Sequence, residues 1–336
     1  MRFGTVAPAE AEGAVLAHSM RLDGRKLSKG TILTGDHVAR LLAAGIGGVT
    51  VARLDPGDIG EDRAAAALAA ALVPDAGAAG LTLSVPHAGR VNLHAAGPGI
   101  VDLDAAAIHG LNLIDPAITF ATLAPMTRTT PGMLVGTVKI ISYAVPGAAL
   151  ERACEAARGA IRLRPVVLTS AGLILTEVDK ESAGLSRKAE AAVAARLGAL
   201  GIGLADVRSV PHDEVAIAAA IGSVRGAMVL ILTGAATSDL YDTAPQALRR
   251  AGGTVTRFGM PVDPGNLLFL GRHDARPVIG LPGCARSPAL NGADWVLERI
   301  ACGLDLSAED IAAMGVGGLL KEIPIRPQPR EALRGA

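Results

Sequence analysis

The sequence predicts an α/β protein with a doubly wound, mostly parallel sheet in its C-terminal half, preceded by smaller α+β and β-rich domains. From about residue 161 onward, short aliphatic runs alternate with segments of helical periodicity. Two of these runs end in glycine-containing loops that lead directly into helices, as expected for strands of a parallel sheet. Such loops lie at the carboxyl ends of the strands, where open α/β sheets bind ligands.

Composition limits the partners and the compartment that the sequence predicts. The 336 residues carry no net formal charge and no basic block, so neither nucleic acid nor an anionic membrane is an expected partner. The N-terminus lacks the features of a signal peptide, and the longest apolar stretch is too short to span a bilayer. Cys154, Cys284 and Cys302 have no metal-ligand spacing, so we predict a cytoplasmic protein without a metal site.

The first 160 residues predict two small domains. Residues 1–74 predict an α+β module, in which either Thr34 or Asp36 caps a short helix. Residues 75–160 predict a β-rich middle domain, because short apolar runs are separated by glycines throughout. The clearest of these runs covers residues 137–141.

Residues 161–304 predict the α/β domain, and residues 305–336 predict a C-terminal tail too short to form another domain. Within the α/β domain, strands and helices alternate along the chain. The predicted strands are 166–169, 207–210, 228–233, 254–258, 267–270 and 277–279. The predicted helices are 188–200, 213–221, 243–250 and 291–302.

Residues 234–242, called the first glycine loop below, combine anion-binding features with two carboxylates. Its small residues allow backbone amides to receive an anion, and Thr237 and Ser238 are suited to donate to a phosphate. Asp239 and Asp242 follow immediately. Either carboxylate has two interpretations: it serves a metal ion, a ligand amine or a positioned water, or it caps the following helix.

Residues 282–288, called the second glycine loop below, contain Cys284 directly after Pro-Gly. This residue is either a thiol activated near a helix N-terminus or a small loop residue. The turn at residues 263–266, called the Pro-Gly turn below, lies between two predicted strands and is a candidate border of the same cleft. His212 and His273 are expected at the surface, because neither has a carboxylate or thiol at metal-ligand spacing.

The order of these motifs resembles the molybdopterin-binding domain shared by molybdopterin molybdotransferases and molybdopterin adenylyltransferases. That domain has a GGxS-type loop after a strand, a YD pair, a Pro-Gly turn, a strand ending in Leu-Pro-Gly, and PxD before its third helix. Neither GxGxxG nor GxxxxGK[ST] occurs, so no Rossmann dinucleotide site or P-loop is indicated. The matching residues, within about 165–302, are Gly234-Ala235-Ala236-Thr237, Tyr241-Asp242, Pro264-Gly265, Leu281-Pro282-Gly283 and Pro211-His212-Asp213.

The resemblance implies molybdopterin as the ligand, with Mg²⁺ and molybdate as further candidates. It also implies a homodimer, and a molybdoenzyme or a cofactor-maturation protein as a possible partner class. The candidate catalytic residues are Asp242 and Asp239. The candidate ligand-binding residues are Gly234, Ala235, Thr237, Ser238, Asp213, Pro264, Gly265, Asn266, Pro282, Gly283 and Cys284.

The sequence departs from the molybdate-inserting pattern within these loops. Ala235 replaces the second glycine, Cys284 and Ala285 replace Asn-Pro, and Asp263 and Asn266 replace lysines beside the Pro-Gly turn. The loss of two cations weakens the expected binding of an oxyanion. The first 150 residues are more similar to the leader of fused molybdenum-cofactor cytidylyltransferases.

Three functions follow as hypotheses. The first is a molybdopterin- or molybdenum-cofactor-binding protein of cofactor biosynthesis, similar to molybdopterin molybdotransferase. The second is a non-catalytic carrier or regulator that uses the same pocket, which the departures at Asp263, Asn266 and Cys284 favour. The third is a hydrolase of another nucleotide on a related fold.

Overall fold

A computed structural model describes residues 1–178 and 183–320 of the protein. The chain divides into two compact units, Met1–Pro165 and Val166–Ala336. The division falls close to the predicted start of the α/β domain. A further boundary near residue 74 and a separate tail from residue 305 remain predictions. In the described ranges, no helix has the length and apolar character needed to cross a membrane.

Small antiparallel sheets and four helices make up the first unit. Its strands are β1 Arg2–Val6, β2 Val15–Leu16, β3 Met20–Leu22, β4 Arg25–Leu27, β5 Val49–Arg53, β6 Asp58–Gly60, β7 Leu81–Leu83, β8 Arg90–Ala95, β9 Gly99–Leu103, β10 Ile118–Thr122, β11 Arg128–Thr129, β12 Leu134–Ile140, β13 Ala144–Pro146 and β14 Ile161–Pro165. Its helices are α1 Gly35–Ala43, α2 Glu61–Leu72, α3 Ala105–Ile114 and α4 Gly147–Ala156. Thr34, one of the two predicted caps, accepts a hydrogen bond from the His37 amide at the start of α1.

The second unit contains one sheet with the strand order β16-β15-β17-β20-β19-β18. The first four of these strands are parallel to one another. Strand β19 is antiparallel to β20, and β18 is antiparallel to β19. This is the mostly parallel α/β sheet that the sequence predicts. Its strands are β15 Ser170–Glu177, β16 Gly203–Pro211, β17 Met228–Leu232, β18 Thr254–Phe258, β19 Phe269–His273 and β20 Arg276–Leu281. The helices are α5 Ala183–Gly198, α6 Glu214–Ser223, α7 Thr243–Arg250, α8 Gly292–Ala301 and α9 Ala308–Ala313.

Helices cover both faces of this sheet. Alternate residues of β17 point to opposite faces, so that Leu230 belongs to the core formed with α5 and α8. Its neighbour Ile231 belongs to the core formed with α6 and α7. Because both faces are covered, β17 is buried along its whole length and is a continuous apolar run in the sequence.

The order of the strands creates a crevice between β15 and β17. The chain leaves β15 for α5 on one face of the sheet and leaves β17 for α7 on the other. The direction of winding therefore reverses between these two neighbouring strands. In open α/β sheets the ligand lies in this crevice, outside the carboxyl ends of the strands. The carboxyl ends of β15, β16, β17 and β20 are called the carboxyl edge below.

The predicted strand at residues 166–169 is wrong, since the first strand of the sheet is β15, Ser170–Glu177. The amides of Val167 and Leu168 instead donate to the carbonyl of Ala301, over 2.8 and 3.1 Å. Both runs are apolar, so composition does not separate them. Pairing of β15 between β16 and β17 selects the later run.

The packing of β20 against β19 gives a test of this sheet. Gly280 lies opposite Phe269, and a β-carbon at Gly280 would lie 1.9 Å from the buried aromatic ring. We expect Gly280→Ala to lower the free energy of unfolding by about 1–3 kcal/mol, because the ring must shift within a packed core. Denaturant unfolding measures the change. Gly222→Ala, in α6 with open space around it, is the control and should stabilise by up to about 1 kcal/mol. Unchanged stability of Gly280→Ala would contradict this packing.

Candidate functional site

The first glycine loop begins at a peptide group that is held from both sides. The carbonyl of Thr233 accepts a hydrogen bond from Nη2 of Arg286, and the amide of Gly234 donates to Oγ1 of Thr176 over 2.8 Å. A β-carbon on Gly234 would lie 2.6 Å from the Thr176 carbonyl oxygen, so this position requires glycine. These bonds join the ends of β15 and β17 to the second glycine loop.

His212 extends this hydrogen-bonded line to the end of β16. Its Nδ1 lies 2.8 Å from Oγ1 of Thr176, and its amide donates to the carbonyl of Glu177 over 3.0 Å. Because Oγ1 already accepts from the Gly234 amide, its own proton is available to Nδ1. His212 is half-buried at the carboxyl edge rather than the plain surface residue that the sequence predicts.

Asp242 closes the first glycine loop. Its Oδ2 accepts from the Ser238 amide over 2.8 Å, and its Oδ1 accepts from the Thr243 amide over 2.6 Å at the start of α7. The bond from Ser238, followed by those from Thr243, lowers the pKa of Asp242 against the opposing effect of burial. The carboxylate is therefore ionised at neutral pH and acts as a helix cap and a loop clamp.

Asp239 and Asp213 also bind backbone amides nearby. Oδ1 of Asp239 accepts from the Tyr241 amide over 2.8 Å, and Oδ1 of Asp213 accepts from the Ala216 amide over 2.9 Å at the start of α6. Both side chains belong to exposed residues. Within residues 1–178 and 183–320, no group of three or more His, Cys, Asp or Glu side chains is placed to hold a metal ion.

The middle of the first glycine loop presents backbone amides in series. The carbonyl of Ala235 accepts from the Thr233 hydroxyl, and that of Ala236 accepts from the Ser238 hydroxyl over 3.4 Å. The described residues offer no acceptor to the amides of Ala235, Ala236 and Thr237. Successive backbone amides without a protein acceptor are candidate donors to an anion.

An arginine from α5 fixes the second glycine loop. Arg196 donates to the carbonyls of Ala285, Ser287 and Ala289 over 2.9, 2.6 and 3.0 Å. Its Nε forms an ion pair with Asp294 of α8 at 2.7 Å, and the two side chains are only 9% and 10% exposed. The shape of this loop therefore depends on a buried, fully engaged arginine.

Cys284 lies in a 3-10 turn, Gly283–Arg286, within the second glycine loop. Burial is the main cause that raises the pKa of its thiol, and the charges of Asp294 and Asp263 add to this effect. A raised pKa does not favour an activated thiol and supports the interpretation of Cys284 as a small loop residue.

The Pro-Gly turn packs against the start of α8. The carbonyl of Pro264 accepts from the Gly292 amide over 2.8 Å, and the Asp263–Pro264 peptide is cis. A β-carbon on Gly265 would lie 2.6 Å from the Gly292 nitrogen. Asn266 is exposed, and its side chain makes only a long contact of 3.4 Å to the Met260 carbonyl. The turn thus contributes shape and no cation.

The predicted site residues all lie at or beside the carboxyl edge. The bond from Arg286 to Thr233 joins the two glycine loops, and the Pro-Gly turn adjoins the second loop through α8. Thr176 and Arg286 were not among the predicted site residues, and His212 was predicted only as a surface histidine within the matched Pro211-His212-Asp213 string. Their contacts join positions 58, 36 and 53 residues apart in the chain, and no local motif marks such contacts.

A cavity of about 320 Å³ lies at the opposite edge of the sheet. It lies beside the start of β20 and the end of α8, and none of the predicted site residues lines it. Its lining includes Leu168, Leu270, Arg272, Pro277 and Asp305.

The clamp made by Asp242 predicts a pH-dependent loss of stability in Asp242→Asn. We expect the free energy of unfolding to fall by about 1 kcal/mol at pH 7, because the Asn side chain keeps only one acceptor oxygen for two backbone amides. A carboxyl group with a lowered folded-state pKa stabilises the protein above its unfolded-state pKa, and this contribution disappears as pH falls through the folded-state value. The difference from the wild type should therefore shrink as pH falls below the usual carboxyl pKa of 3.8.

Denaturant unfolding at several pH values measures this difference. Asp239→Asn is the control, because Asp239 is exposed and accepts a single backbone amide. A difference between wild type and Asp242→Asn that is equal at acidic and neutral pH would contradict the clamp.

Two family models match parts of the chain. Residues 5–53 match a domain of unknown function, and residues 166–300 match the probable molybdopterin binding domain. No curated protein matches the chain at a significant level.

Solved structures were also compared with the whole chain. The molybdopterin biosynthesis MoeA protein from Pyrococcus horikosii is 14% identical with a TM-score of 0.32, over 90% of this chain and 76% of that one. A molybdenum cofactor biosynthesis protein from Pyrococcus furiosus is 13% identical with a TM-score of 0.23, over 93% of this chain and 65% of that one. The family assignment rests on the domain match instead, which coincides with the parallel sheet and the ordered loops. Residues 166–300 belong to the molybdopterin-binding domain family.

Proposed function

We propose that this protein binds molybdopterin at the carboxyl edge of the second unit and acts in molybdenum cofactor biosynthesis. The first glycine loop supports this most directly. The amides of Ala235, Ala236 and Thr237 follow a peptide that is fixed by Thr176 and Arg286. A phosphate presents several acceptor oxygens, and such a run of open amides beside a cation is suited to bind it.

The reaction that accompanies binding has two candidates. A molybdotransferase-like enzyme would use Asp242 to position a metal or to activate an oxygen, with Mg²⁺ and molybdate as further ligands. A non-catalytic carrier or regulator would only hold the pterin. Two observations favour the carrier: both oxygens of Asp242 already accept backbone amides, and the Pro-Gly turn carries Asp263 and Asn266 rather than cations.

Genetic complementation separates these two candidates. Restored cofactor synthesis in a cell that lacks its molybdate insertase would exclude a pure carrier. Loss of that restoration in Asp242→Asn, with pterin binding retained, would assign Asp242 to the chemistry. A homodimer in the cytoplasm, and contact with a molybdoenzyme or a maturation protein, belong to the same proposal.

Pterin binding itself is tested by fluorescence titration of the purified full-length protein with molybdopterin. We expect saturable binding by the wild type and at least about tenfold weaker binding by Gly234→Ala. A β-carbon there would meet the Thr176 carbonyl at 2.6 Å and displace the loop amides. A hydrogen bond to a charged group contributes about 1.5–3 kcal/mol, so loss of one accounts for this factor.

Gly198→Ala is the matched control, because a β-carbon at that position meets nothing within 4 Å. Its affinity should equal that of the wild type. Absence of molybdopterin binding by the wild type would overturn the proposed function.

A further inference from the structure

We infer that Arg286 supplies the positive charge that binds the ligand phosphate, in place of cations on the Pro-Gly turn. The inference rests on the proposed function and assigns the phosphate-recognising residue within it. Arg286 lies in the second glycine loop, and its guanidinium crosses to the end of β17. One residue thereby both fixes the first glycine loop and places a charge next to its open amides.

The position of the guanidinium is set by two neighbours. Nη2 donates to the carbonyl of Thr233, and Nη1 lies 3.6 Å from where a β-carbon of Gly283 would be. The group therefore lies over Gly283, between the two glycine loops. Arg286 is half-buried, so it is partly open to solvent at the crevice where parallel α/β sheets bind ligands.

The charge of Arg286 is available for a ligand. Among residues 1–178 and 183–320, no carboxylate forms an ion pair with it, and its contact with Thr233 uses one of five N–H donors. The same described ranges contain no other hydrogen-bond acceptor for this side chain. A guanidinium with open donors binds a phosphate through two parallel hydrogen bonds, which a point charge does not reproduce.

Two other arginines in the described part of the second unit are engaged with the protein. Arg196 is paired with Asp294 and bonded to carbonyls of the second glycine loop. Arg249 donates to the carbonyl of Leu240 and to Oε1 of Gln246, over 2.8 and 2.7 Å. Both arginines therefore stabilise the loops, and Arg286 is the candidate to bind an anion.

The Pro-Gly turn does not compete for this role. Asp263 places a carboxyl group beside the turn, where a cation would be needed to bind an anion. Asn266 is exposed and neutral. Arg286 and the amides of the first glycine loop therefore attract an anion that enters the cleft, and the turn adds no cation.

The test compares two ligands in Arg286→Gln and Arg286→Lys of the full-length protein. The probes are molybdopterin and the same pterin after enzymatic removal of its phosphate. We expect Arg286→Gln to weaken molybdopterin binding about ten- to a hundredfold and to leave the affinity for the dephosphorylated pterin unchanged. Arg286→Lys should retain part of the affinity, because it keeps the charge and loses the planar donor pair.

Arg250→Gln is the control for charge. Arg250 is exposed at the end of α7, the helix that starts at the carboxyl edge. Arg250→Gln therefore removes the same single positive charge as Arg286→Gln, but at a distance from the site. Its affinity for both pterins should match that of the wild type.

The outcomes separate the inference from the proposed function. Wild-type protein that binds molybdopterin while Arg286→Gln binds it equally well would overturn the inference alone. Equal losses for both pterins would also overturn it, because Arg286 would then affect binding without recognising the phosphate. A wild type that binds neither pterin would overturn the proposed function and, with it, the inference.

Discussion

The geometry of the carboxyl edge depends on one peptide group, the one between Thr233 and Gly234. Its carbonyl is held by Arg286 and its amide by Thr176, so neither end is free to rotate. Because the peptide is planar, these two bonds fix the direction in which the chain leaves β17. This direction determines where the amides of Ala235, Ala236 and Thr237 lie. Every feature proposed for ligand binding depends on this fixed starting point.

The sheet makes this constraint possible. Strands β15 and β17 are neighbours in the sheet, although a helix, a strand and another helix separate them in the chain. Their helices lie on opposite faces, the arrangement in which open α/β sheets form a crevice outside the strand ends. Thr176 is therefore able to bind the Gly234 amide directly, over 2.8 Å. Arg196 fixes the loop that carries Arg286, because it donates to the Ala285 carbonyl and pairs with Asp294.

Local sequence signals predicted much of this unit. Strand β17 is a continuous apolar run, and the helix starting after Asn291 has a capping box that links the Asn291 and Asp294 side chains to backbone amides. The glycine loops were found for the same reason, since glycine after a strand and before a helix is a local pattern. These elements depend on residues close to each other in the chain.

The remaining parts depend on contacts that no local pattern encodes. Strand β15 was misplaced by a few residues because two adjacent apolar runs compete, and only pairing with β17 separates them. Thr176 is an ordinary strand residue until the fold brings Gly234 within 2.8 Å. The sequence alone located Asp242 in the loop but did not decide between its two interpretations. The contacts of its two carboxylate oxygens were needed to compare them.

The most direct test of the central claim locates the ligand on the full-length protein. Hydrogen exchange measured by mass spectrometry, with and without molybdopterin, reports which backbone amides the ligand protects. The account predicts slower exchange in residues 234–242 and 282–288, and no change around Arg272 and Asp305, which line the cavity at the opposite edge. Protection confined to that cavity, or unchanged exchange in both glycine loops with ligand bound, would contradict it.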